Sequence, residues 1–177
     1  MFDPTAFDNL KVIVEGAIYD RDLEGEVLVI DRKDLVNLAN MSRDFRMSFR
    51  MKNEQRNSIY AELQLKADLE NLAAELLEHN QQQNLSGCIV SVDFVLRHRH
   101  DEKIYKDIKT KLEEIWGVER SIEQVIQVNP LKTDPQINNR VSIQFNRLVF
   151  EDQVDDLVEM LNYIVLSLQE LTPLITK

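Results

Sequence analysis

The sequence predicts an α+β fold, a mostly antiparallel sheet with its helices gathered on one face, in the order ββ(α)ββα-βαββα. Three observations carry this. Segments in which apolar residues alternate with polar ones are interleaved with segments in which apolar residues recur every three or four positions. Two of the alternating segments fall into a common register as a hairpin. Glycine and proline are scarce, four of each in 177 residues, which favours long helices and strands over a turn-rich sandwich.

The first apolar stretch, Leu10–Tyr19, places Val12, Val14, Gly16 and Ile18 on one side and reads as a strand. A turn containing Gly25 leads to a second strand, Glu26–Asp31. Asp31-Arg32-Lys33-Asp34 then reads as a polar boundary before a short helix carrying Leu35, Val36, Leu38 and Ala39. The following hairpin is clearer. Phe45, Met47, Phe49 and Met51 alternate with Arg46, Ser48, Arg50 and Lys52, and after a polar loop Ile59, Ala61, Leu63 and Leu65 alternate with Tyr60, Glu62 and Gln64. Pairing 49 with 61 and 47 with 63 puts both apolar sets on one face, so turn and pattern agree. A helix with Leu69, Leu72, Ala73, Leu76 and Leu77 follows, ending in a polar connector at His79–Asn84.

Gly87–Trp116 is the best-defined unit. Cys88, Val90, Val92, Phe94 and Leu96 form a wholly apolar face opposite a mixed one, as in an interior strand covered on one side. Asp101 is placed to cap the next helix, whose face carries Ile104, Ile108, Leu112 and Ile115, with Gly117 just past its end. A short strand at Ile122–Val128, a long loop at Asn129–Arg140 and a strand at Val141–Phe150 come next. The last helix carries Val154, Leu157, Leu161, Ile164, Leu168 and Leu171 in one stripe, with Pro173 as its stop.

These elements fit one domain over residues 1–177. The halves 1–86 and 87–177 resemble each other in their succession of hairpins and helices, which suits a distant internal duplication. Ordinary alternation in α+β domains produces the same likeness. Phe45, Met47, Phe49, Met51, Leu63, Leu65, Val90, Val92, Phe94, Ile108, Leu112, Leu157, Leu161 and Ile164 are expected to share one core.

Composition narrows the function. The formal net charge is −10, which opposes non-specific attraction to nucleic acid or anionic membrane. The single cysteine excludes an internal disulfide framework, and its place on an apolar strand face suits a buried thiol. The N-terminal segment has no secretory pattern and no apolar run is long enough to span a bilayer, so a cytoplasmic setting is expected. No Gly-rich phosphate loop, CxxC, GxSxG or HExxH is present, and no cofactor is expected.

Four weak signals remain. Arg46, Arg50 and Lys52 on the hairpin, with Arg97 and Arg99 after the central strand, form the candidate anion-binding set, since guanidinium groups on a sheet face can hold phosphates. Glu62 lies in the same patch and opposes this. His98 and His100 could ligate a metal from one side of a continuing strand, with His79 the only further histidine. Asp152, Asp155, Asp156 and Glu159 read as the solvated face of the last helix. Its apolar stripe is wide, and Met160 and Leu166 extend beyond it as a candidate interface. The expected function is a non-enzymatic protein-binding or assembly module that self-associates and engages a protein partner. Nucleic-acid or anion binding through hairpin 43–56 is the alternative.

Overall fold

The computed structural model describes residues 5–76 and 83–176. Met1–Pro4, Leu77–Gln82 and Lys177 lie outside that range, so His79, most of the polar connector and the start of the chain are not placed. The described elements run α1 (Ala6–Leu23), β1 (Val27–Asn37), β2 (Ser42–Met51), β3 (Ile59–Ala67), α2 (Leu69–Leu76), β4 (Cys88–Arg99), α3 (Glu102–Trp116), β5 (Ser121–Gln127), β6 (Gln136–Val149) and α4 (Val154–Ile175). All strand pairs are antiparallel, in the order β1-β2-β3-β4-β6-β5.

The hairpin register is the one its pattern dictates, with Phe49 opposite Ala61 and Met47 opposite Leu63. Asp101 caps α3, its carboxylate accepting the Lys103 N–H at 2.8 Å. Gly117 ends that helix at φ 90°, a conformation that costs a glycine nothing. The inner sheet face, α1, α3 and α4 enclose a core that includes every residue expected there. Cys88 is buried, and burial pushes its thiol up to about 12.

The first forty residues depart from the sequence reading. Leu10–Tyr19 is helix, so the first half runs αβββα and differs in element order from the βαββα of the second. The alternation of Val12, Val14 and Ile18 misleads, because Phe7, Leu10, Val14 and Ile18, spaced by three and four, are the residues that reach the core. Thr5 starts the helix by accepting the Asp8 N–H at 3.2 Å. The expected short helix at Leu35–Ala39 is the end of β1 and the turn after it. The charged tract Asp31–Asp34 remains strand because its charges find partners, Asp31 and Lys33 in each other and Arg32 and Asp34 on α1. Lys11 meets Asp34 at 2.9 Å, and Arg32 pairs with Glu15.

Two smaller departures have similar causes. β6 begins at Gln136, inside the expected loop, because the polar Asn139 occupies a core-facing position and hides the alternation of Ile137, Val141 and Ile143. α4 continues past Pro173 to Ile175. Among the described residues, no helix is long and apolar enough to cross a membrane.

Candidate interaction surface

The outer sheet face brings the hairpin arginines beside acids. Arg46 is held by Asp44 through two hydrogen bonds of 2.9 and 2.7 Å, and these bonds hold the Asp44 carboxyl below its usual range. Gln64 donates to the same carboxylate at 2.9 Å. Glu62, only 7% exposed, accepts from Ser48 at 3.2 Å and from Arg140 at 3.2 Å, and Arg140 also bonds Asp93. Arg50 turns into the β2–β3 turn, where it bonds the Glu54 backbone carbonyl. Glu54 is itself buried and accepts from the Arg56 N–H at 2.9 Å. Arg97 pairs with Asp134 at 3.2 Å, while Lys52 and Arg99 are exposed. The five basic residues therefore do not converge on one point. Arg46, Arg50 and Arg97 already have anionic or carbonyl partners within the chain, and Arg140, central to this mosaic, was not singled out by sequence.

The histidines part company. His98 lies 1% exposed on the inner face. Its Nδ1 is 2.7 Å from the Arg99 carbonyl, so Nδ1 carries the proton and Nε2 accepts from Asn139 at 3.1 Å. Asn139 donates also to Gln124 at 2.9 Å, and Gln124 to the Tyr105 carbonyl at 2.9 Å. Burial is the main reason the His98 imidazole is held below its usual pKa. His100 is exposed and contacts the Tyr105 hydroxyl. Among the described residues, no group of three or more His, Cys, Asp or Glu side chains could hold a metal.

Asp152, in the turn just before α4, and Asp155, Asp156 and Glu159 on α4 are exposed, as expected. Met160 is half-buried, lining a cleft with Trp116, Phe145 and Tyr163, and Leu166 is exposed.

Further exposed apolar side chains lie at the β1 edge of the sheet. Among the described residues β1 is an edge strand, paired with β2 alone with a bulge between Val29 and Asp31, and is exposed from Ile30 onward. Ile30, Leu35 and Val36, with Leu38 and Met41 in the following turn, are all at least 45% exposed. α1 runs antiparallel beside this edge, fastened by Lys11–Asp34, Glu15–Arg32 and the bond from the Val29 N–H to Asp22 at 2.9 Å. Although burial pushes the Asp34 carboxyl up, the Lys11 and Arg43 contacts outweigh it and hold the group low. The back of α1, away from the core, carries Val12, Gly16, Tyr19 and Leu23 at spacings of four, three and four, all exposed.

Gly16 is unexplained within one chain. A Cβ there would meet nothing within 4 Å, yet a mid-helix glycine costs about 0.5–1 kcal/mol relative to alanine. Sequence reasoning missed this surface because it made α1 a strand and the end of β1 a helix. The signals that mark it are the three-and-four spacing of Phe7, Leu10, Val14 and Ile18 and the second stripe behind it. Comparisons with protein-family models, curated proteins and solved structures give no match.

Proposed function

We propose that the protein is a non-enzymatic protein-binding and assembly module that self-associates through the side of the fold where the β1 edge and the back of α1 meet. The observation that supports this reading is the coincidence there of an open strand edge with exposed apolar side chains before and after its charged centre and along the back of α1. An edge strand presents unpaired backbone donors and acceptors, and stable folds normally shorten, charge or cover it. β1 has 11 residues with a bulge between Val29 and Asp31, and its charges are matched within the chain, Arg32 and Asp34 by α1 and Lys33 by Asp31. Clustered exposed apolar surface of this kind marks contact sites, and strand addition supplies affinity through main-chain bonds.

The test is sedimentation velocity over a dilution series. The wild type should associate at concentrations on the order of tens of micromolar, and Leu35→Lys with Leu38→Glu should shift it to monomer with unchanged circular dichroism. A wild type that stays monomeric throughout contradicts the proposal.

A further inference from the structure

We infer that the cleft between the end of α3, the bulged end of β6 and the first half of α4 binds a small zwitterion. Its guanidinium group lies against Trp116, Tyr163 and the α4 acids, and a short apolar stem carries its carboxylate to Arg120 and Arg147. The site is separate from the β1 edge and does not depend on self-association.

The backbone opens the space. β5 begins at Ser121, opposite Gln144, so among the described residues β6 has no strand neighbour on that side beyond Gln144. There β6 bulges. Gln144 pairs with Ser91 and Leu148 with Ile89, so Phe145, Asn146 and Arg147 stand against Val90 alone, and Asn146 takes φ 52°. Ile115 and Trp116 at the end of α3 close one side and α4 another, leaving a cleft of about 270 Å³. That is at the small end of ligand pockets, which suits a small molecule over a chain segment.

The floor is aromatic and fixed in place. The Trp116 ring centre lies 5.8 Å from that of Phe145 and 5.6 Å from that of Tyr163, with the planes tilted by 59° and 43°. The Trp116 indole N–H donates to Ser167 at 2.9 Å, and the buried Ser167 hydroxyl donates to the Tyr163 carbonyl at 2.7 Å. The ring is therefore set before a ligand arrives, which spares binding the cost of ordering it. Arg120 lies over the Phe145 ring, its guanidinium carbon 5.2 Å from the centre. Ring faces attract cations, and among the described residues no cation of the chain itself lies over Trp116 or Tyr163.

The walls carry opposite charge. Asp156, Glu159, Met160 and Tyr163 recur at helical spacing on one face of α4 and line the cleft, while Arg120 and Arg147 line it from the β6 side. Among the described residues neither carboxylate has a hydrogen-bond or ion-pair partner, and neither guanidinium has an ion-pair partner. On the neighbouring α3, by contrast, Lys106, Lys109 and Lys111 each pair with a glutamate. Unpaired walls of opposite sign, held apart across an aromatic floor, complement a ligand that carries both charges. A cation alone would be opposed by Arg120 and Arg147, an anion alone by Asp156 and Glu159. Guanidinium is the cation that fits, being planar and weakly hydrated. It can lie on a ring face while its N–H edge reaches the carboxylates.

Trp116 is the chain's single tryptophan, so its fluorescence and its indole N–H resonance in NMR report on this cleft alone. The experiment titrates the full chain with 4-guanidinobutyrate at fixed ionic strength, beside propylguanidine, which lacks the carboxylate, and butyrate, which lacks the cation. The zwitterion should give a saturable change with half-saturation in about the millimolar range, as befits so small a ligand. Each truncated probe should bind at least roughly tenfold more weakly, the loss of one charge-assisted contact. Asp156→Asn with Glu159→Gln, and separately Arg147→Gln, should weaken the zwitterion by a similar factor. Their circular dichroism should stay that of the wild type, since all three side chains are exposed. Three results would each overturn the inference: no saturable change in either Trp116 signal, a truncated probe that binds as well as the zwitterion, or a variant that binds it like the wild type.

Discussion

The two faces of the sheet are completed by opposite means. The inner face is apolar and sealed by α1, α3 and α4, with Phe45, Met47, Leu63, Val92 and Phe94 almost wholly buried. The outer face carries Arg46, Arg140, Asp44, Glu62 and Asp93, which pair with one another over β2, β3, β4 and β6. Burial settles one face and charge pairing the other. What neither settles is the β1 edge and the back of α1, which is why the proposed interaction surface lies there and not on the arginine-bearing face.

The contrast between the faces can be broken most severely at Phe94. It is fully buried at the sheet's centre, opposite Ala61 and Val141, and Phe94→Ala should cost about 3–5 kcal/mol in urea unfolding. On the outer face the largest effect should come from Glu62. Glu62→Leu strips a buried acceptor from Ser48 and Arg140 and should cost about 1–3 kcal/mol by the same assay. A neutral result there would mean that the mosaic does not hold the face together. Arg46→Ala, by contrast, removes a half-exposed ion pair and should cost less than about 1 kcal/mol. With its guanidinium committed to Asp44, the wild type should show no salt-sensitive affinity for oligonucleotides in a fluorescence titration. Tight binding lost in Arg46→Ala/Arg50→Ala would return the basic hairpin to first place.

His98, buried with Asn139 on the inner face, offers a pH test. Its folded pKa is depressed by burial, so protons bind the unfolded chain more readily. Its contribution to stability is therefore present above the ordinary histidine pKa of about 6.5 and is lost as pH falls below it. Urea midpoints measured between neutral and mildly acidic pH should decline, and His98→Gln should flatten that decline. An unchanged slope in the variant would show that other groups set it.

What the sequence revealed follows a physical division. β2, β3, β4, α3 and α4 were legible because each presents one wholly apolar face, and for a hairpin that pattern also dictates register. Elements with mixed faces were not. α1 carries apolar residues on two sides, one for the core and one exposed, so its helical period was masked by β-branched Val12, Ile13 and Val14. β1 carries charges whose partners come from α1, so the strand looked finished at Asp31. β6 carries Asn139 inward because His98 on β4 and Gln124 on β5, its two neighbours in the sheet, bond it there. In each case the deciding partner lies far away in sequence. The same limit applies to the site residues. Arg46, Arg50, Lys52, Arg97 and Arg99 could be seen as basic, but the acids that occupy three of them could be assigned only in three dimensions.

The central claim, that β1 and not another part of the sheet is the surface where chains meet, is tested most directly by hydrogen exchange at several protein concentrations. The other edge, β5, is an internal control, being seven residues long and carrying Glu123. The account predicts that amides within Ile30–Val36 become progressively protected as concentration rises through the association range, while those of Ser121–Gln127 do not change. Concentration-independent exchange along β1, or protection that develops along β5 instead, would contradict it.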